Sequence, residues 1–155
     1  MNKAVFACLF SVALSFPLAA NADDDSLRFD GGIGSQPLRA GGLVNDVFGV
    51  PPGGRPWVIS RLDADVRGRR IRVEGRGLIL AGGNNIGTSG SGQTVQARLF
   101  CGGVPHNSAL VPLALDGDFR IDSALTPTPP NPCTAPVLLI VSGGGSWFAA
   151  GIPED

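Results

Sequence analysis

Residues 57–76 read WVISRLDADVRGRRIRVEGR. In the first half, Leu62, Ala64 and Val66 alternate with Arg61, Asp63 and Asp65. After Arg67-Gly68 the alternation resumes, with Ile71 and Val73 on one side and Arg70, Arg72, Glu74 and Arg76 on the other. A period of two places one set of side chains inward and the other in water, which is the pattern of a half-buried strand. Two such runs joined by a short Gly-containing turn predict a hairpin with one wet face. The strand candidates are Trp57 to Val66 and Arg70 to Arg76.

Toward the C-terminus the same grammar repeats. Leu78-Ile79-Leu80 is wholly apolar and predicts a strand buried on both faces or a crossing between sheets. Gly82 to Gly92 is a Gly/Asn/Ser loop. Thr94 to Cys101 alternates again, with Val95, Ala97, Leu99 and Cys101 on one side. Ala109 to Leu115 carries Pro112, which predicts an edge strand or a bulge. Asp116-Gly117 before Phe119-Arg120-Ile121 is a short-range hairpin signal. Thr126 to Pro132 is Pro-rich and cannot join a central ladder. Val137 to Val141 is continuously apolar, and Trp147 to Ile152 is the last strand. About seven or eight short strands spaced by turns predict an all-β fold, an antiparallel β-sandwich or a small barrel.

The N-terminus reads differently. Lys3 precedes an apolar run from Ala4 to Leu14, Pro17 breaks it, and Ala20-Asn21-Ala22 closes it with small residues. Charge, apolar core and small-residue cleavage site predict a secretory signal peptide over residues 1–22. The run is shorter than the roughly 20 residues that span a bilayer. Residues 23–56 follow as an entry segment, punctuated by Gly31-Gly32, Gly41-Gly42, Pro51-Pro52 and Gly53-Gly54. It is expected to be mostly extended loop, with at most one edge strand, lying against the domain. Residues 57–155 are the expected β-domain.

Cleavage removes Cys8 and leaves Cys101 and Cys133. An even pair in an exported chain predicts one disulfide. It also removes the only Lys, leaving 11 arginines against 13 acidic residues. That balance is no nucleic-acid footprint, and no later apolar run is long enough for a membrane span. Secretion or residence in a periplasm is the expected location.

No catalytic constellation stands out. The single His, His106, would need Ser108 or Ser89 and an Asp such as Asp116 or Asp118 for a hydrolytic triad, and no Gly-x-Ser-x-Gly elbow occurs. A loop histidine near a turn is the plainer reading. Asp63/Asp65 and Asp116/Asp118 are close carboxylate pairs without a surrounding cleft of aromatics. Gly82 to Gly87 lacks the Lys of a phosphate loop. No metal or cofactor site is expected.

Two binding candidates remain. Arg70, Arg72 and Arg76 share a strand face, and guanidinium forks hold carboxylate or phosphate groups. An acidic glycan, a lipopolysaccharide phosphate or a protein partner fits them; cross-strand ion pairs with the acids of the hairpin are the plainer reading. Asn84 and Asn85 lie in the Gly-rich loop, a common place for ligand contacts beside a sheet.

Asp116-Gly117-Asp118-Phe119-Arg120-Ile121, then the Pro-rich Cys133 loop and Pro136-Val137-Leu138-Leu139-Ile140, resembles the Gly-x-Phe strand of transthyretin-like and immunoglobulin-like modules. The resemblance is confined to this C-terminal stretch. It implies a sandwich with a binding or structural role and carries over no functional residue. The expected function is non-enzymatic binding, adhesion or assembly with an unidentified protein or glycan partner. The alternatives are a small secreted hydrolase using His106 and a subunit that exchanges residues 23–56 as a donated strand.

Overall fold

The computed structural model describes residues 26–40 and 43–154; the expected signal peptide lies outside them. The strands are β1 (Leu27–Gly34), β2 (Arg39–Ala40), β3 (Leu43–Val44), β4 (Trp57–Val58), β5 (Arg61–Arg67), β6 (Arg70–Arg76) and β7 (Ile79–Leu80). They continue with β8 (Thr94–Cys101), β9 (Val104–Asn107), β10 (Val111–Pro112), β11 (Phe119–Ala124), β12 (Val137–Ser142) and β13 (Trp147–Pro153). The expected all-β antiparallel fold is the fold observed.

One antiparallel sheet runs in the order β10-β8-β12-β13-β1-β5-β6-β11, with β9 also on β8. It curls until its edges meet. Asn107 at the end of β9 and Thr126 just past β11 exchange two backbone hydrogen bonds of 2.9 Å. The Ala114 amide donates to the Asp118 carbonyl at 3.0 Å, and the Ala109 amide to Ser123 Oγ at 3.0 Å. These few bonds tie edges that would otherwise be open templates for pairing. Two small sheets, β2-β3 and β4-β7, complete the described elements.

Period two decides the interior. Leu62, Ala64 and Val66 of β5, Ile71 and Val73 of β6, and Val95, Ala97 and Leu99 of β8 are buried in one cluster with Phe119, Ile121, Leu138 and Ile140. Each fully buried aliphatic or aromatic side chain contributes about 1.5–3 kcal/mol of transfer free energy. β12 is buried on both faces, as its continuous apolar run predicts. Leu138 and Ile140 face the main core, whereas Leu139 and Val141 join Val50, Phe100 and Trp147 in a second cluster on the outside of the sheet.

A strap from Asn45 to Gly53 covers that second cluster. Trp147 Nε1 donates to the Asn45 carbonyl at 3.1 Å, the Trp147 amide to Pro51 at 2.9 Å, and Gly53 to the Trp147 carbonyl at 2.9 Å. At the tip, Val47 and Val50 bond to each other across Phe48-Gly49, both in the left-handed region at φ 48° and 77°. Two-residue turns of this hand favour Asn-Gly. A bulky Phe there costs roughly 1–2 kcal/mol, offset in part by stacking on Phe100 at 4.8 Å between centroids.

Four sequence expectations need revision. The entry segment begins with a full interior strand, since β1 pairs β13 on one side and β5 on the other. Its three glycines hid it. The Trp57 to Val66 run splits at Ile59-Ser60: Trp57 turns away to stack on Phe148 at 3.9 Å, and β4 pairs β7 outside the main sheet. Asp116-Gly117 does turn the chain, with Gly117 at φ 86°, but the flanking runs part. β10 ladders with β8 and β11 with β6, and only scattered bonds such as Ala114 to Asp118 join the two runs directly. Finally, His106 is no exposed loop residue; it lies on β9 opposite Leu99 and is 3% exposed.

Candidate functional site

A groove of about 580 Å³ runs across the outer face of β1, β5, β6 and β11. Strand register builds its walls. Arg28, Asp65, Arg72 and Asp122 are consecutive cross-strand neighbours on one rung. Asp30, Asp63, Glu74 and Arg120 form the next. On the second rung three carboxylates stand side by side, and like charges directly opposite destabilise a sheet.

Arginines relieve that repulsion. Arg61 binds Asp63 at 2.5 Å, Arg76 binds Glu74 at 2.6 Å, and Arg120 reaches the other Glu74 oxygen at 3.4 Å. The hydrogen bond and charge of Arg76 hold the Glu74 carboxyl below its ordinary range, and the same pair raises Arg76. Arg70 and Arg72 both reach Asp122, at 2.6 and 3.4 Å, and Arg67 lies 3.4 Å from Asp65. All these side chains are well exposed, so water screens each pair and its contribution to stability is small. Their consequence is charge balance: Arg70, Arg72 and Arg76, which the sequence groups as one basic run, each face a carboxylate. The groove lining itself counts Arg28, Arg72 and Arg120 against Asp30, Asp63, Asp65, Glu74, Asp122 and Glu154, a formal sum of −3. No Ser, Cys or His lines it.

Asn84 and Asn85 lie elsewhere. Their loop folds back on β7, with Gly87 bonded to the Leu80 carbonyl and Leu80 to the Thr88 carbonyl, each at 2.9 Å. The Asn85 carbonyl accepts from Thr88 Oγ1 at 3.0 Å, a turn bond, and both Asn side chains are exposed. Arg72 lines the large groove and Arg76 a shallower one; neither groove includes Asn84 or Asn85.

The candidates for nucleophilic chemistry stay apart. His106 Nδ1 lies 2.7 Å from the Pro127 carbonyl, so Nδ1 carries the proton and donates. Nε2 is buried without a partner. Ser108 Oγ accepts from the Ala97 amide at 2.9 Å and donates to the Ala109 carbonyl, while Ser89 Oγ donates to Ala114 at 2.6 Å. Neither serine bonds the imidazole. Asp118 Oδ1 accepts from the Gly77 amide and Asp116 Oδ1 from the Asp118 amide, both at 3.1 Å, so this pair is occupied in turns. No cluster of three or more potential metal ligands occurs among the described residues. Cys101 and Cys133 form the expected disulfide, with Cα atoms 5.0 Å apart. No described helix is long and apolar enough to cross a membrane.

Sequence reasoning missed Arg28, Asp30, Arg120, Asp122 and Glu154 as groove residues. Alternation in Arg120-Ile121-Asp122 carried a signal for the β11 pair. Nothing local placed Arg28 and Asp30 beside β5. Comparison with known proteins gives no match to a family model, a curated protein or a solved structure.

Proposed function

We propose that the chain is an exported, non-enzymatic β-module that acts by binding, in adhesion or assembly, in a periplasm or outside the cell. The groove over β1, β5, β6 and β11 carries the reading. It is open, charged and free of nucleophiles, and it lies on a sheet face rather than on loops. Four of the six lining carboxylates are paired to arginines, which leaves Asp30 and Glu154 outside the ion pairs named above and open to basic side chains of a polypeptide segment rather than to an anionic glycan. The disulfide supports an oxidising compartment. His106, bonded to backbone and hydrogen-bonded to neither serine hydroxyl, offers a hydrolase no base–nucleophile pair.

The test is amide chemical-shift mapping with two probes of opposite sign, a hexa-arginine peptide and a heparin oligosaccharide. The peptide is expected to shift amides at Asp30, Asp63, Asp65 and Glu74, and to lose its effect in the Glu74→Gln, Asp122→Asn double variant. Shifts caused by heparin alone, centred on Arg67 and Arg70, would reverse the assigned ligand charge. No shift from either probe would remove this face as a binding surface.

A further inference from the structure

β1 occupies an unusual position for what it buries. It pairs with β5 over Leu27 to Asp30 and with β13 at Phe29 and over Gly32 to Gly34. Without it the sheet would be cut in two, leaving two open edges. Yet of its eight residues only Phe29 is buried, at 2% exposure. Ile33 is 59% exposed. Neighbouring β5 buries Leu62, Ala64 and Val66, and β13 buries Trp147, Phe148 and Ala149. The ladder to β13 is also interrupted between Phe29 and Gly32, where Gly31 takes φ 89°. An interior strand held by backbone bonds, by Phe29 and by the half-buried Leu27 is weakly anchored, the kind of element that opens in sub-global fluctuations.

The slot it fills is selective. A Cβ on Gly32 would lie 2.9 Å from Ile59 Cγ2 and 3.1 Å from Leu62 Cβ. A Cβ on Gly34 would overlap the Trp57 carbonyl. An occupant therefore needs an aromatic at the Phe29 position and glycine at the Gly32 and Gly34 positions. Arg28 stands in register with Asp65 and adds a charge match. A second copy of this chain carries all of these by construction.

We infer that β1 is an exchangeable strand: Leu27–Gly34 of one copy enters the β5–β13 slot of another, joining chains by reciprocal swapping. The swap rests on the assembly half of the reading above; β1 lends Arg28, Phe29 and Asp30 to the groove, whereas Glu74 and Asp122 lie on β6 and β11, outside the β5–β13 slot. Exchange conserves every bond that β1 makes, so association is favoured by concentration once β1 has opened. The connection after β1 crosses the outside of the sheet as the strap, and so need not be withdrawn from the core.

The test uses the intact chain and a fluorescent synthetic peptide spanning Ser26 to Ser35. Capture is expected to be slow and to accelerate on warming toward the melting temperature, because the resident strand must leave first. An Ile33→Thr peptide should be captured as well as the native one. A Gly32→Val peptide should not be captured, and a Phe29→Ala peptide should bind at least about tenfold more weakly. Failure to capture the native peptide overturns the inference, and so does equal capture of the Gly32→Val peptide, which would mark non-specific strand adhesion. The Glu74→Gln, Asp122→Asn variant, blind to hexa-arginine, should still capture the strand. Loss of groove binding and loss of strand exchange are therefore read separately.

Discussion

Replacing Cys101 and Cys133 together with alanine tests how this fold is held against its own unfolded chain. The two residues are 32 apart in sequence. Closing a loop of that length removes about 3.7 kcal/mol of conformational freedom from the denatured ensemble at 25 °C in the chain-entropy model. Losses in the native state should be small. The Pro-rich loop keeps the Gly102 amide bond to Thr134 at 2.6 Å and the Leu125 amide bond to Arg69 at 2.7 Å. Domains of this size are stable by about 5–15 kcal/mol, so the loss is a large share of the whole. It should lower the melting temperature by roughly 10–20 °C. Urea titration followed by the emission of Trp57 and Trp147 measures it. The m-value should rise, because an unlinked chain exposes more surface when unfolded. A loss below about 1 kcal/mol at unchanged m would refute the loop-entropy account. Two titratable thiols in the denatured wild-type chain would refute the bond itself.

Three further outcomes are expected. Gly75→Ala should destabilise by about 1–3 kcal/mol, because its methyl would collide with the Phe119 ring across the β6–β11 ladder. In a double-mutant cycle the penalty should largely vanish beside Phe119→Ala, and additive effects would show that the ring is not the obstacle. His106 should resist diethyl pyrocarbonate in the folded chain and react after unfolding; rapid modification of native protein would mean that the imidazole is not buried as described. The Glu74 carboxyl is lowered from 4.5, first by its hydrogen bond from Arg76 and then by that guanidinium's charge. A lowered folded value means that its contribution to stability is complete above 4.5 and is lost as pH falls through the folded value. Carbon-detected titration should show Glu74 moving up toward 4.5 in Arg76→Ala; an unmoved midpoint would leave the shift without its assigned cause.

Strands that alternate were readable directly. β5, β6 and β11 each bury one parity and leave the other more exposed, as does β8 up to Phe100, so Leu62, Val73, Val95 and Leu99 could be assigned to one interior before any pairing was known. The double burial of β12 was legible in Val137 to Val141 for the same reason. β1 was not, because glycines at 31, 32 and 34 erase the apolar half of the alternation. Its backbone conformation is imposed by β5 and β13, residues far away in sequence. β9 was masked by Pro105 and by the polar His106, whose burial depends on the distant Pro127 carbonyl. For the groove, the arginine-rich hairpin was visible, but its neutralisation was only partly so. Asp122 lies 50 residues beyond Arg72, and only the β6–β11 register shows that they meet.

The place of β1 between β5 and β13 also sets an order of events for a chain synthesised from its N-terminus. The first strand to emerge has one lateral neighbour soon after it and the other only when Trp147 to Pro153 has followed. Such long-range pairing makes closure slow compared with local hairpins. Until the last strand arrives, half of the first strand's amides must stay hydrated or borrow another partner. Stepwise synthesis thereby holds the sheet open at β1 until β13 has been made.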